Sequence, residues 1–222
     1  AGLAVAAGLI ALIGGRLVPN FTGNWLAAQG LAPGPAAFGR VDQAVLALTG
    51  VALAGWVFAP LASPVGVLLI AVGGGHLLRL ARWRGWKTAS EPLVWILHAG
   101  YGWLGLGLAL LGASVLAPDL APRSAGVHAI AVGAVGVMTL AVMTRATLGH
   151  TGRPLAADRW TLGVYLAILL AAVARVSAAL DPSHASLLLG LSAGLWATAF
   201  LGFALRYGPM LVLPRRVAPL RT

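Results

Sequence analysis

Apolar residues run along this chain in blocks of about twenty, and charged residues are mostly confined to the ends of the blocks and the breaks between them. An α-helix rising 1.5 Å per residue needs about twenty residues to cross a hydrocarbon layer roughly 30 Å thick. The pattern predicts seven membrane helices, at 1–18, 41–62, 64–82, 92–117, 126–148, 160–181 and 185–208. Proline and glycine punctuate the breaks: Pro19, Pro33-Gly34-Pro35, Pro64, Pro92, Pro118, Pro122, Pro154, Pro182 and Pro214. Only Ala62-Ser63-Pro64 separates the second and third blocks, so these two are expected to form a tight antiparallel hairpin. The expected fold class is all-α, a polytopic transmembrane helix bundle forming one domain over residues 1–222.

Composition agrees with that reading. Of the 222 residues, 59% are hydrophobic and 9% charged, whereas a soluble domain carries about a quarter charged residues. Fifteen Lys and Arg against five Asp and Glu give a net charge of +10. In a soluble chain that balance would suggest nucleic acid, but no aromatic-interleaved basic stripe is present, so the expected partner is membrane lipid and no nucleic acid. With seven alternating passes, one side holds Arg16, Arg40, Arg79, Arg82, Arg84, Lys87, Arg145, Arg153, Arg159, Arg206, Arg215, Arg216 and Arg221. The other side holds Arg123 and Arg175. The positive-inside rule then places the end of the first block and the C-terminal tail in the cytoplasm. The chain starts at Ala1 inside an apolar run, with no basic segment before it, and reads as the later part of a longer polytopic protein.

Ionisable residues at membrane depth are costly and therefore mark candidate chemistry. His184 sits in the short loop Asp181-Pro182-Ser183-His184 and reads as solvated. His76 lies six residues before Arg82, ~9 Å inside the basic end of the third helix. His98 lies six residues beyond Pro92 on the next, antiparallel helix, at nearly the same depth. His76 with Arg79 one turn later suits either an iron ligand beside a propionate partner or a helix end snorkelling to the interface. On the fourth helix His98, Gly102, Gly105, Ala109 and Gly112 form a small-residue seam beside Tyr101. Such a seam permits close helix approach or a flat ring lying against the backbone.

His128 and His150 bound the fifth helix, ~33 Å apart, and are too distant to share a metal. At 100° per residue, His128, Thr139, Met143 and His150 fall in one arc, with Met138 and Arg145 on a different face. Histidine with methionine suits copper, although methionine at helical spacing more often packs. Arg145, one turn inside the membrane end, requires an acidic, carbonyl or anionic partner. The five acids, Asp42, Glu91, Asp119, Asp158 and Asp181, all sit at loops or helix ends, which argues against a relay of buried carboxylates. No cysteine is present, which excludes thiolate sites. Lys87, the one lysine, sits in a loop, which weakens a retinal Schiff base. No protease, hydrolase, NTPase or dinucleotide motif occurs.

Three stretches carry a family resemblance: GGRLVPNFT at 14–22, PLVWILHAGYGWLGLGLALLG at 92–112 and GVHAIAVGAVGVMTLAVMTRATLGHTGRP at 126–154. Together they resemble the NnrS family of bacterial membrane proteins, over nearly the whole chain and matching the later part of the family's length. The resemblance implies an inner-membrane protein containing haem b and copper, linked to nitric oxide metabolism and nitrosative-stress resistance. The family's early Trp-His-x-His-Glu-like motif does not occur here. The resemblance favours Arg16, His98, His128, Arg145, His150 and Arg153, and depth and spacing add His76 and Arg79. As metal ligands the expectation is His76, His98, His128 and His150; as cofactor-binding cations Arg16, Arg79, Arg145 and Arg153. The competing readings are a permease-like bundle for an anion or metal, with Gly73-Gly74-Gly75 as the one candidate helix break, and a structural membrane subunit.

Overall fold

A computed structural model describes residues 1–213, so Arg215, Arg216 and Arg221 lie outside the described residues. Among the described residues seven helices are long and apolar enough to cross a membrane. They are α1 (Gly2–Ala28), α2 (Arg40–Phe58), α3 (Ser63–Arg82), α4 (Pro92–Leu116), α5 (Arg123–His150), α6 (Arg159–Leu180) and α7 (Pro182–Val212). No strand occurs among the described residues. This is the expected helix count, and the largest difference is α1, which continues ten residues past the predicted end with Pro19 inside it. Proline has no N–H to give the carbonyl four residues back. A π-helical stretch over Ile10–Gly14 shortly before it already departs from the regular ladder. A second π stretch, Ala129–Gly136, lies in α5.

Facing residues fix the directions. A β-carbon on Gly73 would lie 2.7 Å from the Gly105 carbonyl, and one on Gly66 would lie 3.1 Å from that of Gly112, so α3 and α4 are antiparallel and nearly touch backbones. The small-residue seam of α4 is thus a helix-packing seam, and α3 runs unbroken through Gly73-Gly74-Gly75. On its other side α4 meets α5, with Gly100 against Met138 and Gly107 against Ile130. Glycines here substitute for side-chain burial, because lipid gives helices no hydrophobic reason to associate and close van der Waals contact must do so. α4 is the central helix, with Leu93, Ile96, Leu97, Tyr101, Leu104 and Leu108 fully enclosed. By contrast α1 and α5 run parallel, Gly14 beside Met138 and Phe21 beside Arg145.

These directions put the ends of α1, α3, α5 and α7 together at one end of the bundle, where Arg40, Arg82, Arg84, Lys87, Arg153, Arg159 and Arg206 collect. The opposite end holds Arg123 and Arg175.

Candidate functional site

The extra turns of α1 build the basic end. They run past the 3₁₀ turn Gly85–Thr88 and the 29–39 loop, which Lys87 ties down by donating to the Ala32 carbonyl at 2.9 Å. Consecutive residues of this extension meet two candidate side chains: Phe21 lies under Arg145, 4.0 Å from guanidinium carbon to ring centre, and Thr22 meets His98.

The Thr22 contact fixes the state of His98. Thr22 Oγ1 donates to the Val18 carbonyl at 2.8 Å, so its hydroxyl proton is committed and it accepts from His98 Nε2 at 2.8 Å. The remaining ring nitrogen, Nδ1, therefore carries a lone pair. It is buried and has no hydrogen-bond partner among the described residues. A β-carbon on Gly85 would fall against Nδ1, Cγ and Cε1 together, which places Gly85 on the face of the ring. Arg84 turns the chain into that position with a left-handed φ of 59°.

His76 is held differently. Thr49 Oγ1 gives its proton to the Val45 carbonyl at 2.7 Å and accepts from His76 Nε2 at 3.0 Å. Nδ1 then accepts from the Tyr101 hydroxyl at 2.8 Å. Both ring nitrogens are thus occupied, and His76 offers a ligand only by giving up a hydrogen bond. Tyr101 in turn accepts from Arg79 Nη1 at 2.5 Å, and Arg79 Nε donates to Asp42 Oδ1 at 2.9 Å. Arg82 and the Gly39 amide share the other Asp42 oxygen, each at 3.1 Å. Arg79 also reaches the Ala11 carbonyl at 3.4 Å, inside the π stretch where the ladder is irregular. Trp83 stacks near the same guanidinium at 5.3 Å. Arg79 is fully enclosed, and this chain of groups neutralises its charge at membrane depth while leaving its Nη2 without a hydrogen-bond partner among the described residues.

The other expected residues divide by place. Arg16 is exposed, at the depth of Arg79, because its neighbour Gly15 packs on the Arg79 guanidinium. Arg145 and His150, expected on different faces of α5, line one cavity of about 500 Å³ with Phe21 and Asn24. His128 lies apart from the other candidates, half-buried at the opposite end near Arg175, and the wider π turn between it and Met143 breaks the 100° spacing behind the expected common arc. Arg153 lies half-buried beside a separate cavity of about 490 Å³ with Asp158 and Arg206, its Nη1 without a partner among the described residues. Asp158 caps α6: burial pushes its carboxyl up, but hydrogen bonds from the Thr161 amide and hydroxyl and from Arg206 outweigh that and hold it below the usual carboxylate range. Among the described residues no three His, Cys, Asp or Glu side chains converge as a metal site.

Asp42, Tyr101, Thr49 and Thr22 are the residues that spacing alone passed over or left in a supporting role. Asp42 sits at a helix end as expected, yet is 2% exposed. Its signal was an acid opening an apolar helix with Thr49 two turns on, at the depth of Arg79.

The NnrS protein family model matches residues 1–215. No curated protein and no solved structure matches the chain. Coverage of that extent, by a chain folded as a seven-helix apolar bundle, identifies it as a member of the NnrS family.

Proposed function

We propose that this chain is part of a haem- or copper-binding protein of the bacterial inner membrane that acts in nitric oxide metabolism or nitrosative-stress resistance, and that His98 supplies a metal ligand. The observation that carries the assignment is the His98 Nδ1 lone pair, buried and without a hydrogen-bond partner, beside a glycine whose side chain would strike the ring. A neutral imidazole nitrogen is a competent donor to haem iron and to copper, and its other nitrogen is oriented by a hydroxyl in the way metal-ligating histidines generally are. Membership of the NnrS family, which the sequence resemblance links to haem and copper, supports this class of cofactor.

The metal, when bound, would supply the site for a diatomic ligand. The protein residues do the rest. Thr22 fixes the tautomer and angle of His98. Gly85 sets how closely the 3₁₀ turn covers the ring. Arg153, with an unpartnered donor at the same end of the bundle, is one cation available to a carboxylate. The remaining ligands come from outside the groups that converge among the described residues. On this reading the basic end faces the cytoplasm. The permease reading loses its one candidate break, because α3 is continuous through Gly73-Gly74-Gly75.

The experiment is to purify the protein and its His98→Ala and His76→Ala variants in detergent and assay haem by pyridine haemochromogen and copper by metal analysis. The proposal expects His98→Ala to lose most of one cofactor and His76→Ala to retain it. Equal stoichiometry in wild type and His98→Ala removes His98 from the ligand set.

A further inference from the structure

A cleft runs between the parallel helices α1 and α5 as two adjoining chambers. One, about 410 Å³, is walled by apolar side chains including Leu9, Ile13, Met138 and Met143. The other is the cavity of Phe21, Asn24, Arg145 and His150. Leu17 and Val142 belong to both walls, so the two spaces adjoin end to end. Leu9 and Ile13 are 50% and 54% exposed, so the apolar chamber opens on the outer surface of the described bundle. From Val135 to Arg145 the cleft follows α5 for roughly 15 Å. Its apolar part lies toward the middle of the bundle and its polar part lies at the basic end.

Arg145 forms no ion pair among the described residues, and Glu91 is the carboxylate that acts on it, from beyond contact distance. The Phe21 ring covers one face of its guanidinium and leaves the N–H edge to a further group. A half-buried cation at membrane depth is stabilised when an anion meets it, and a forked guanidinium suits a phosphate. An apolar channel open on the outer surface of the described bundle, lined by flexible aliphatic side chains and ending on an unpaired arginine, matches an amphiphile with an anionic head and a hydrocarbon tail.

We propose that this cleft binds an anionic phospholipid, its phosphate on Arg145 beside Asn24 and His150, its acyl chain along Leu17, Ile13 and Met138. Charge complementarity selects the anionic headgroup, and the basic end of the bundle draws such lipids to the leaflet where the phosphate belongs. The lipid then fills the gap between α1 and α5 and holds the α1 extension over His98.

The test is native mass spectrometry of the full protein in detergent, titrated with phosphatidylglycerol and with phosphatidylcholine. Phosphatidylglycerol is expected to bind at least tenfold more tightly. Arg145→Gln removes that preference, Arg145→Lys keeps most of it, and Arg123→Gln at the opposite end leaves it intact. Leu17→Trp, which fills the junction of the chambers and keeps the arginine, weakens phosphatidylglycerol as well and covers the case of a poorly folded Arg145→Gln. Equal affinity for the two lipids in wild type overturns the proposal, as does undiminished phosphatidylglycerol binding in Leu17→Trp or Arg145→Gln. Loss of haem in Arg145→Gln with lipid binding intact overturns it too, and assigns the arginine to the cofactor instead.

Discussion

Arg79 is enclosed completely, and its charge is tolerated because Asp42 meets it at 2.9 Å and Tyr101 and the Ala11 carbonyl take further donors. Removing one partner of such a pair strands the other in a medium that solvates it poorly. Asp42→Asn is therefore expected to destabilise the protein by about 3–5 kcal/mol, and adding Arg79→Met should recover part of that loss. Thermal unfolding of the single and double variants in detergent measures both, and strictly additive losses would show that the two residues do not act as a pair. At the rim, Asp158 caps α6 through the Thr161 amide at 2.8 Å and pairs with Arg206. Its carboxyl is held below its unfolded value of about 3.9, so its stabilisation is present above that pH and is lost as pH falls through the lowered value. Asn also caps, so Asp158→Asn removes chiefly the exposed pair with Arg206 and should cost no more than about 1 kcal/mol at neutral pH and nothing at the acid end. A pH series of unfolding midpoints decides; an acid decline unchanged in the variant would exclude Asp158 as its source.

At the scale of the helices, adjacent glycines of α3 make opposite predictions. Gly73 faces the α4 backbone, where a β-carbon would stand 2.7 Å from the Gly105 carbonyl and 2.8 Å from the Ala109 nitrogen. Backbone cannot yield, so Gly73→Ala should lower stability by about 1–3 kcal/mol. Gly74 has nothing within 4 Å, and Gly74→Ala should be neutral or gain up to about 1 kcal/mol in helix propensity. Comparable losses at both positions would contradict the packing described. Helix number and the hairpin of α2 and α3 were legible in the sequence, because burial in lipid imposes length and apolarity directly. The depth of the two histidines was not: Gly73 facing Gly105 and Leu80 facing Gly102 set His98 about one turn nearer the basic end than His76 instead of level with it. The end of α1 was not. Pro19 reads as a stop by local rules, and only the contacts of Gly15, Phe21 and Thr22 with side chains of α3, α4 and α5 show why the helix continues. The same applies to α5, where a π stretch that no spacing rule announces rotates His128 away from the phase of His150. The tautomer of His98 depended on Thr22, seventy-six residues away in sequence.

For the whole molecule, the basic end gathers the candidate residues other than His128. The absence of native cysteine allows its orientation to be read from single substitutions. Ser90, between α3 and α4, and Ser183, between α6 and α7, are exposed at opposite ends. In intact spheroplasts a membrane-impermeant maleimide should label Ser183→Cys and leave Ser90→Cys unlabelled until lysis; the reverse order would invert the topology. An optical spectrum reports whether the bundle holds the redox-active metal proposed near His98. Protein purified in detergent, as isolated and after dithionite, is expected to show a Soret band that shifts on reduction and again on adding nitric oxide, with iron or copper bound in stoichiometric amount. A colourless protein free of both metals would contradict the account.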